Sequence, residues 1–300
     1  MDTIGSLGYF TGINNVDDAV RLAPMTVKLE SAYKTAYQLT QANNVDIDNT
    51  YKIASRAGRT LLASAVDGHS LWSDGKACFY VDGTTFYQVM ADFTTVVIRN
   101  VTPGLRMSYV VINDRVYYTN GAEFGFVKGM SNYASVNPGI EFKEPLPAGK
   151  FIDVFMGCIY MAVKNILYVS DPLCDYYDVR TGYRMFADDI TMVRAVDLGI
   201  YVSDKKIWWL KGFANEDFER QDAYPEPAIP YTDIKFPSEW MGGKGGDVAV
   251  WTGLDGICVG DNNGDVNNLT REKYVMPQRS RGTAYLRDNN GVKHYVNSLY

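Results

Sequence analysis

The segment Gly199-Ile200-Tyr201-Val202-Ser203-Asp204 reads as a short β-strand that ends in a small residue and an aspartate. Related segments occur at 78–82, 115–120, 166–171 and 256–261. Aligned on Tyr80, Tyr117, Tyr168, Tyr201 and Cys258, the five copies are separated by 37, 51, 33 and 57 residues. The mean spacing, about 44 residues, is typical of propeller blades. The sequence therefore predicts an all-β protein, a β-propeller of about five to seven blades.

The residues between these segments agree with short antiparallel strands. Asp82-Gly83, Asn120-Gly121 and Asn263-Gly264 supply the positive φ angles that tight hairpin turns need. Trp208-Trp209-Leu210 is a continuous apolar run, which indicates a strand covered on both faces, as between stacked blades. An amphipathic helical stripe is hard to find between 60 and 300, so a helical bundle or a βαβ fold is disfavoured.

The first sixty residues follow a different pattern from the repeats. We expect residues 1–40 to be an N-terminal docking segment, with helix-compatible composition over 25–41, and residues 41–300 to be the propeller. A polar, proline-interrupted stretch at about 213–245 predicts an inter-blade insertion, although its apolar residues could instead complete an outer strand. A sixth blade is expected to combine 280–300 with strands from 40–65 and to close the ring.

Composition excludes several classes of protein. The net charge of −6 argues against a protein that coats DNA, and we expect no sequence-specific nucleic acid binding. No run of about 18 apolar residues and no signal peptide is evident, so we expect no membrane segment and synthesis in a cytoplasm. Of the four cysteines, Cys78, Cys158 and Cys258 fall in strand segments, and these as well as Cys174 are expected to be free thiols.

Four aspartates are the candidates for catalysis, because propeller glycosidases place carboxylates around the channel. These residues are Asp82, Asp171, Asp204 and Asp261. Their recurrence at one repeat position is better explained by turn hydrogen bonds to the backbone. His69 and His294 lie in no hydrolase motif and are expected on the surface or on edge strands. We therefore predict no catalytic, cofactor-binding or metal-binding residue and no enzyme activity.

Two further signals have alternative explanations. Asn43, Asn44, Asp46, Asp48 and Asn49 are spaced loosely like a calcium loop, but the glycine and glutamate of an EF-hand are missing. Alternation of Val45 and Ile47 with acidic residues favours a strand instead. The tryptophans Trp208, Trp209, Trp240 and Trp251 either fill spaces between blades or form faces that bind a partner or a sugar.

Two phrases near the N-terminus carry a resemblance. Phe10-Thr-Gly-Ile-Asn-Asn and Ala42-Asn-Asn-Val-Asp-Ile-Asp, followed by Arg56 and Gly58, resemble the opening of a family of tailed-bacteriophage virion proteins. This chain has one arginine and no proline where that family typically has an Arg-Arg-Pro-Gly-like turn. The resemblance implies a tail or head-to-tail propeller protein, similar to the nozzle or hub proteins of short-tailed phages, and carries over no catalytic residue.

These observations together predict a structural component of a phage tail. It would assemble with other copies of itself in a ring around the tail axis and help to extend or seal the DNA conduit. Neighbouring tail or head-to-tail proteins and tail fibres are the expected partners, and the virion is the expected location. The alternative is a propeller that binds a host receptor or a carbohydrate, and a glycosidase is the less favoured third class.

Overall fold

The computed structural model describes residues 8–29, 32–42, 45–47, 50–55, 61, 64–213, 217–243, 245–289 and 291–300. These residues are arranged almost entirely in antiparallel β-sheets. Short 3-10 helices are described at Ala19–Arg21 and Ser238–Met241. Strands are numbered below in chain order. The predicted all-β fold is confirmed.

The N-terminal part forms two small sheets. The first has the order β1, β3, β2, and the second pairs β4 with β5. Their bounds are β1 (Tyr9–Ile13), β2 (Met25–Leu29), β3 (Ala32–Leu39), β4 (Val45–Ile47) and β5 (Ile53–Ser55). The strand expected at Val45 to Ile47 is confirmed, whereas most of the calcium-loop candidates lie outside the described residues.

The helix-compatible reading of residues 25–41 is wrong, because this segment forms β2 and β3. Its β-branched and aromatic residues favour strands. Pairing of β3 with both β1 and β2 buries Ala36 and Val27, which a single exposed helix would not do. Helix-compatible composition was a weaker signal than these cross-strand contacts.

Five four-stranded antiparallel sheets follow, and each is a blade of the propeller. Blade 1 contains β6 (Gly68–Ser73), β7 (Cys78–Asp82), β8 (Thr85–Val89) and β9 (Thr95–Asn100). Blade 2 contains β10 (Ser108–Ile112), β11 (Arg115–Thr119), β12 (Phe124–Lys128) and β13 (Ser131–Ala134). Blade 3 contains β15 (Phe151–Phe155), β16 (Cys158–Val163), β17 (Ile166–Val169) and β19 (Tyr183–Met185). Beside it, β14 (Lys143–Pro145) pairs with β18 (Tyr176–Asp178).

The last two complete blades have the same strand order. Blade 4 contains β20 (Met192–Val196), β21 (Gly199–Ser203), β22 (Ile207–Lys211) and β23 (Glu219–Tyr224). Blade 5 contains β24 (Ile234–Pro237), β25 (Asp247–Thr252), β26 (Ile257–Gly260) and β27 (Val266–Asn268). The segment predicted as an insertion at 213–245 thus supplies the outer strand of blade 4 and the first strand of blade 5.

The C-terminal residues form the predicted hairpin of β28 (Gly282–Asn289) and β29 (Val292–Leu299). Within the described part of the chain, neither strand pairs with a third one. Between the hairpin and the described strands of 40–65 there is a side-chain contact, in which Arg287 Nη2 donates to Asp46 Oδ2 at 2.6 Å.

The repeat alignment was displaced by one strand in two copies. Tyr80, Tyr117 and Tyr201 lie on second strands, but Tyr168 and Cys258 lie on third strands. Counted between the first residues of the five second strands, the spacings become 37, 43, 41 and 48 residues. Consecutive strands of one blade have similar apolar patterns and turns, so the alignment could slip along the hairpin.

Each interface between neighbouring blades has its own apolar core. Separate clusters of buried residues lie between blades 1 and 2, 2 and 3, 3 and 4, and 4 and 5, and another lies between blade 5 and the hairpin. The cluster between blades 3 and 4 includes Leu167, Ile200 and Leu210, each fully buried. Strands covered on both faces explain why their sequences are continuously apolar.

Candidate functional site: an axial cavity and an apolar groove

A cavity of about 150 Å³ lies where the inner edges of the blades meet, and we call it the axial cavity. Its lining comes from β6, β10, β15, β20 and β28, together with residues that directly precede β10 and β24. At about 30 Å³ for each water molecule, the space holds about five waters. It is therefore the size of a small-molecule site and cannot admit a nucleic acid.

Arg194 is held on the cavity wall by two carboxylates. Its Nε and Nη2 donate to Asp233 Oδ2 at 2.9 and 2.6 Å, and its Nη1 lies 3.3 Å from Asp153 Oδ2. Burial acts to lower the pKa of Arg194, but attraction by Asp233 and Asp153 outweighs it and raises the pKa. Asp153 also accepts the backbone N–H of Ala195 at 2.8 Å. This cluster joins blades 3 and 4 to the start of blade 5.

Arg106 reaches the same cavity from the start of blade 2. Its Nη1 donates to the carbonyl oxygen of Gly282 and, at 3.0 Å, to the hydroxyl of Tyr300. The guanidinium carbon lies 4.4 Å from the centre of the Tyr231 ring. Arg106 thereby connects blade 2 to both ends of the C-terminal hairpin.

His69 and Ser70 are joined in space as well as in sequence. His69 Nδ1 lies 2.7 Å from Ser70 Oγ, which also accepts the backbone N–H of Met107 at 2.9 Å. Burial lowers the pKa of His69, and its buried Nε2 has no hydrogen-bond partner among the described residues. As expected, both histidines are on strands at a sheet edge, His69 on β6 and His294 on β29.

The charged residues of the cavity were not among those predicted from the sequence, although a signal was present. Asp153 is the third residue of Phe-Ile-Asp-Val-Phe, and Arg194 is the third residue of Met-Val-Arg-Ala-Val. A charged residue in the middle of a short apolar strand is buried only when it is paired. Opposite charges at the same position of successive first strands therefore indicated an ion pair near the axis.

The four recurring aspartates do not come together at the axis. Asp204 Oδ1 accepts the backbone N–H of Lys206 and the indole N–H of Trp208, at 3.1 and 3.0 Å. Asp261 accepts backbone N–H groups of its own turn, as expected. Asp82 instead accepts the backbone N–H groups of Val66 and Asp67, which precede the first strand of blade 1. Asp171 differs, because its carboxylate binds Lys143 Nζ at 2.8 Å and ties the β14 and β18 sheet to blade 3.

The cysteines are placed as expected. All four are free, and Cys78, Cys158 and Cys258 lie on strands, where burial raises the pKa of each thiol. The pKa of the fully buried Cys258 rises to about 12. Over the described ranges, no group of three or more histidine, cysteine or acidic side chains is arranged to hold a metal ion.

The tryptophans differ in how deeply they are buried. Trp209 and Trp251 are buried between blades 4 and 5, and both pack against Tyr201. Trp208 points to the other face of β22, as alternation along a strand requires, and lies between Lys206 and Arg220. Trp240 is the exception, since 44% of its surface is exposed.

Trp240 lines a second cavity of about 210 Å³, which lies between blade 5 and the hairpin and which we call the apolar groove. The lining residues used below are Trp240, Met241, Ile257, Val259, Leu269 and Leu286. Trp240 stacks on Phe236 with 5.7 Å between ring centres, and Lys293 Nζ lies 4.6 Å above its ring. Met241 and Leu269 are 48% and 43% exposed, so the groove presents apolar surface to solvent.

The groove exists because the hairpin has two strands where the other blades have four. In blades 1, 3 and 4 the third strand presents a fully buried side chain to the next blade, namely Phe86, Leu167 or Trp209. In blade 2 the corresponding residues, Phe124 and Phe126, are half-buried. The corresponding residues of blade 5, Ile257 and Val259, are only half-buried. In the described part of the chain, no outer strand of the sixth position covers them.

None of the described helical segments has the length and apolar character needed to span a bilayer.

Comparison with known proteins assigns this chain to no family. No protein-family model matches the sequence, and no curated protein matches it. Among solved structures, virginiamycin B lyase from Staphylococcus aureus is 10% identical with a TM-score of 0.49, over 79% of this chain and 86% of that chain. A gluconolactonase from Xanthomonas campestris is 12% identical with a TM-score of 0.45, over 74% and 79%. The WD40 propeller domain of Doa1 is 12% identical with a TM-score of 0.44, over 67% of each chain. At TM-scores below 0.5 these likenesses carry no argument, and the β-propeller fold of this chain rests on its own four-stranded sheets and the apolar core at each interface between them.

Proposed function

We propose that this chain is a structural component of a tailed-bacteriophage virion, which assembles as several copies around the tail axis. The apolar groove is the observation that carries the proposal. Exposed aromatic and aliphatic side chains gathered in one concave strip are typical of protein contact sites. The resemblance of the N-terminal phrases to phage virion proteins supplies the biological setting.

The N-terminal sheet adds a second surface suited to assembly. Tyr33 and Tyr37 lie on one face of β3 and are 72% and 48% exposed. Tyrosine provides large contact area with a polar tip and is enriched at interfaces. Two separate contact surfaces on one chain allow head-to-tail contacts, which close into rings.

The volume of the axial cavity bears on the path that DNA would take in such an assembly. Because the cavity holds only a few waters, DNA would pass between copies in the ring and not through any one propeller. The acidic net charge of −6 suits such a wall, since a polyanion would not adhere to it.

Electron cryomicroscopy of intact particles tests the proposal directly. Density for the chain repeated around the tail axis, with neighbours in contact with Trp240, is the expected result. Absence of the chain from the particle would overturn the proposal. Binding of a polysaccharide through Trp240, without assembly, would instead favour the carbohydrate-binding alternative.

Purified protein allows a matched test of the groove. We expect Trp240→Asp to abolish ring formation in analytical ultracentrifugation, because a carboxylate in the groove would be desolvated on assembly. Leu198→Asp is the control, since Leu198 is similarly exposed, at 44%, but lies in the first turn of blade 4. Equal assembly of the two variants would show that the groove does not take part in the contact between copies.

A further inference from the structure

The axial cavity has a cationic group that its own walls do not neutralise. Three charged side chains face the cavity, Arg106, Arg194 and Asp233. The carboxylate of Asp233 is engaged by Arg194, which also binds Asp153 behind it. No ion pair among the described residues includes Arg106. Its partners are the neutral oxygens of Gly282 and Tyr300 and the ring of Tyr231.

The charges of the wider cluster sum to zero when Asp153 is included, but they are unevenly distributed. Both carboxylates are concentrated around Arg194, and Asp153 is also fixed by the backbone N–H groups of Val154 and Ala195. The Arg106 side of the cavity is therefore the electropositive side. Because the carboxylates oppose the charge of Arg106 only at longer range, Arg106 attracts a small anion into the water-filled cavity.

The geometry of Arg106 suits an oxyanion. A guanidinium has five N–H donors in one plane, and the two described hydrogen bonds both leave from Nη1. The guanidinium also lies over the Tyr231 ring, with 4.4 Å between its carbon and the ring centre, and this contact favours its position at the cavity wall. The donors that remain match the paired oxygens of a carboxylate or a phosphate.

The backbone around the cavity provides an independent observation. Ser70 and Tyr231 both line the cavity and both have left-handed backbone conformations, with φ of 56° and 63°. Side-chain-bearing residues rarely adopt this region, and such residues cluster at ligand sites, where the surroundings hold them in place. Two such residues on the wall of one small cavity favour a ligand site beside Arg106.

We propose that the axial cavity binds a small oxyanion, a carboxylate or a phosphate of a few heavy atoms, through Arg106. The volume of about 150 Å³ limits the ligand to that size. This site is separate from the apolar groove and does not depend on the assembly proposed above.

Isothermal titration calorimetry of the full chain with sodium phosphate and with sodium acetate tests the site, with sodium chloride holding the ionic strength constant. Saturable binding of one equivalent to the unmodified protein is expected. Arg106→Gln should weaken it about tenfold or more, the loss expected for a charge-assisted hydrogen bond. Arg279→Gln, at an exposed arginine outside the cavity, should bind as the unmodified protein does.

Arg106 also connects blade 2 to the hairpin, so Arg106→Gln could fail to fold. Arg106→Lys keeps the charge and is expected to fold, as checked by near-ultraviolet circular dichroism, while losing the paired donors and most of the affinity. Absence of saturable binding to the unmodified protein would overturn the proposal. Equal affinity in folded Arg106→Lys and Arg279→Gln would overturn the role of Arg106, whatever the outcome of the assembly tests.

Discussion

The two faces of blade 5 differ sharply, although they belong to the same strands. On the face toward blade 4, Ala249, Trp251 and Cys258 are completely buried. On the face toward the C-terminal hairpin, Ile257 and Val259 are half-buried and border a cavity of about 210 Å³. The first face meets a complete four-stranded blade, and the second meets two strands.

Polar contacts hold the hairpin where packing is incomplete. The hydroxyl of Tyr295 lies 2.7 Å from Thr252 Oγ1 and donates to the carbonyl oxygen of Thr232 at 2.6 Å. Asn297 donates to the same Thr252 Oγ1 at 2.7 Å. The difference teaches that apolar burial is complete between blades 4 and 5, whereas the hairpin is held by a smaller apolar cluster of Phe236, Val248 and Val250 together with these directed hydrogen bonds.

The largest loss of stability is expected from a substitution on the face of blade 5 that packs against blade 4. Trp251→Ala should lower the free energy of unfolding by about 3–5 kcal/mol, because it removes a fully buried ring and leaves a cavity against Tyr201. Trp240→Ala on the other face should cost less than about 1 kcal/mol, since much of that ring is exposed. Urea denaturation followed by circular dichroism measures both. Similar losses in the two variants would show that the faces do not differ in packing.

A smaller loss of stability is expected when one of the hydrogen bonds that position the hairpin is removed. Tyr295→Phe keeps the ring but removes the hydroxyl, so the carbonyl of Thr232 loses its described side-chain donor. We expect a loss of about 1–2 kcal/mol in the free energy of unfolding. Tyr33→Phe, at a tyrosine that is 72% exposed, is the control and should be neutral. Hydrogen exchange of β29 amides should accelerate in Tyr295→Phe alone.

The strands and hairpins of the complete blades were largely predictable from the sequence. Apolar runs such as Trp208-Trp209-Leu210 and turns such as Asn120-Gly121 act locally, so they indicate strands and hairpins without knowledge of distant contacts. The exact strand register was not predictable, because β16 and β17 have similar patterns and either one fits the repeat. A choice between them depends on which strand faces the axis.

The candidate sites were less predictable, because they depend on contacts between distant residues. Arg106 meets Gly282 and Tyr300 across more than 170 positions of sequence. The apolar groove arises from strands that the hairpin does not have, and a sequence pattern records only the strands that are present. Of the site residues, Asp153 and Arg194 had a local signal as charges within apolar strands, and Trp240 was among the tryptophans expected either to pack or to bind a partner.

The smallest expected effect concerns His69, on the first strand of blade 1. Burial lowers the pKa of His69 in the folded state, so below its ordinary value of 6.5 the unfolded chain binds more protons than the folded one. Stability should therefore be full above that value and should fall as the pH drops toward the folded-state pKa. His69→Gln should reduce the loss of unfolding free energy between about pH 7.5 and 5.5 by less than about 1 kcal/mol, because solvent screens this half-buried ring. His294→Gln is the matched control for removal of a histidine. If His69→Gln and the unmodified protein lose equal stability over this interval, the pH sensitivity lies elsewhere in the chain and burial of a neutral His69 imidazole does not contribute to it.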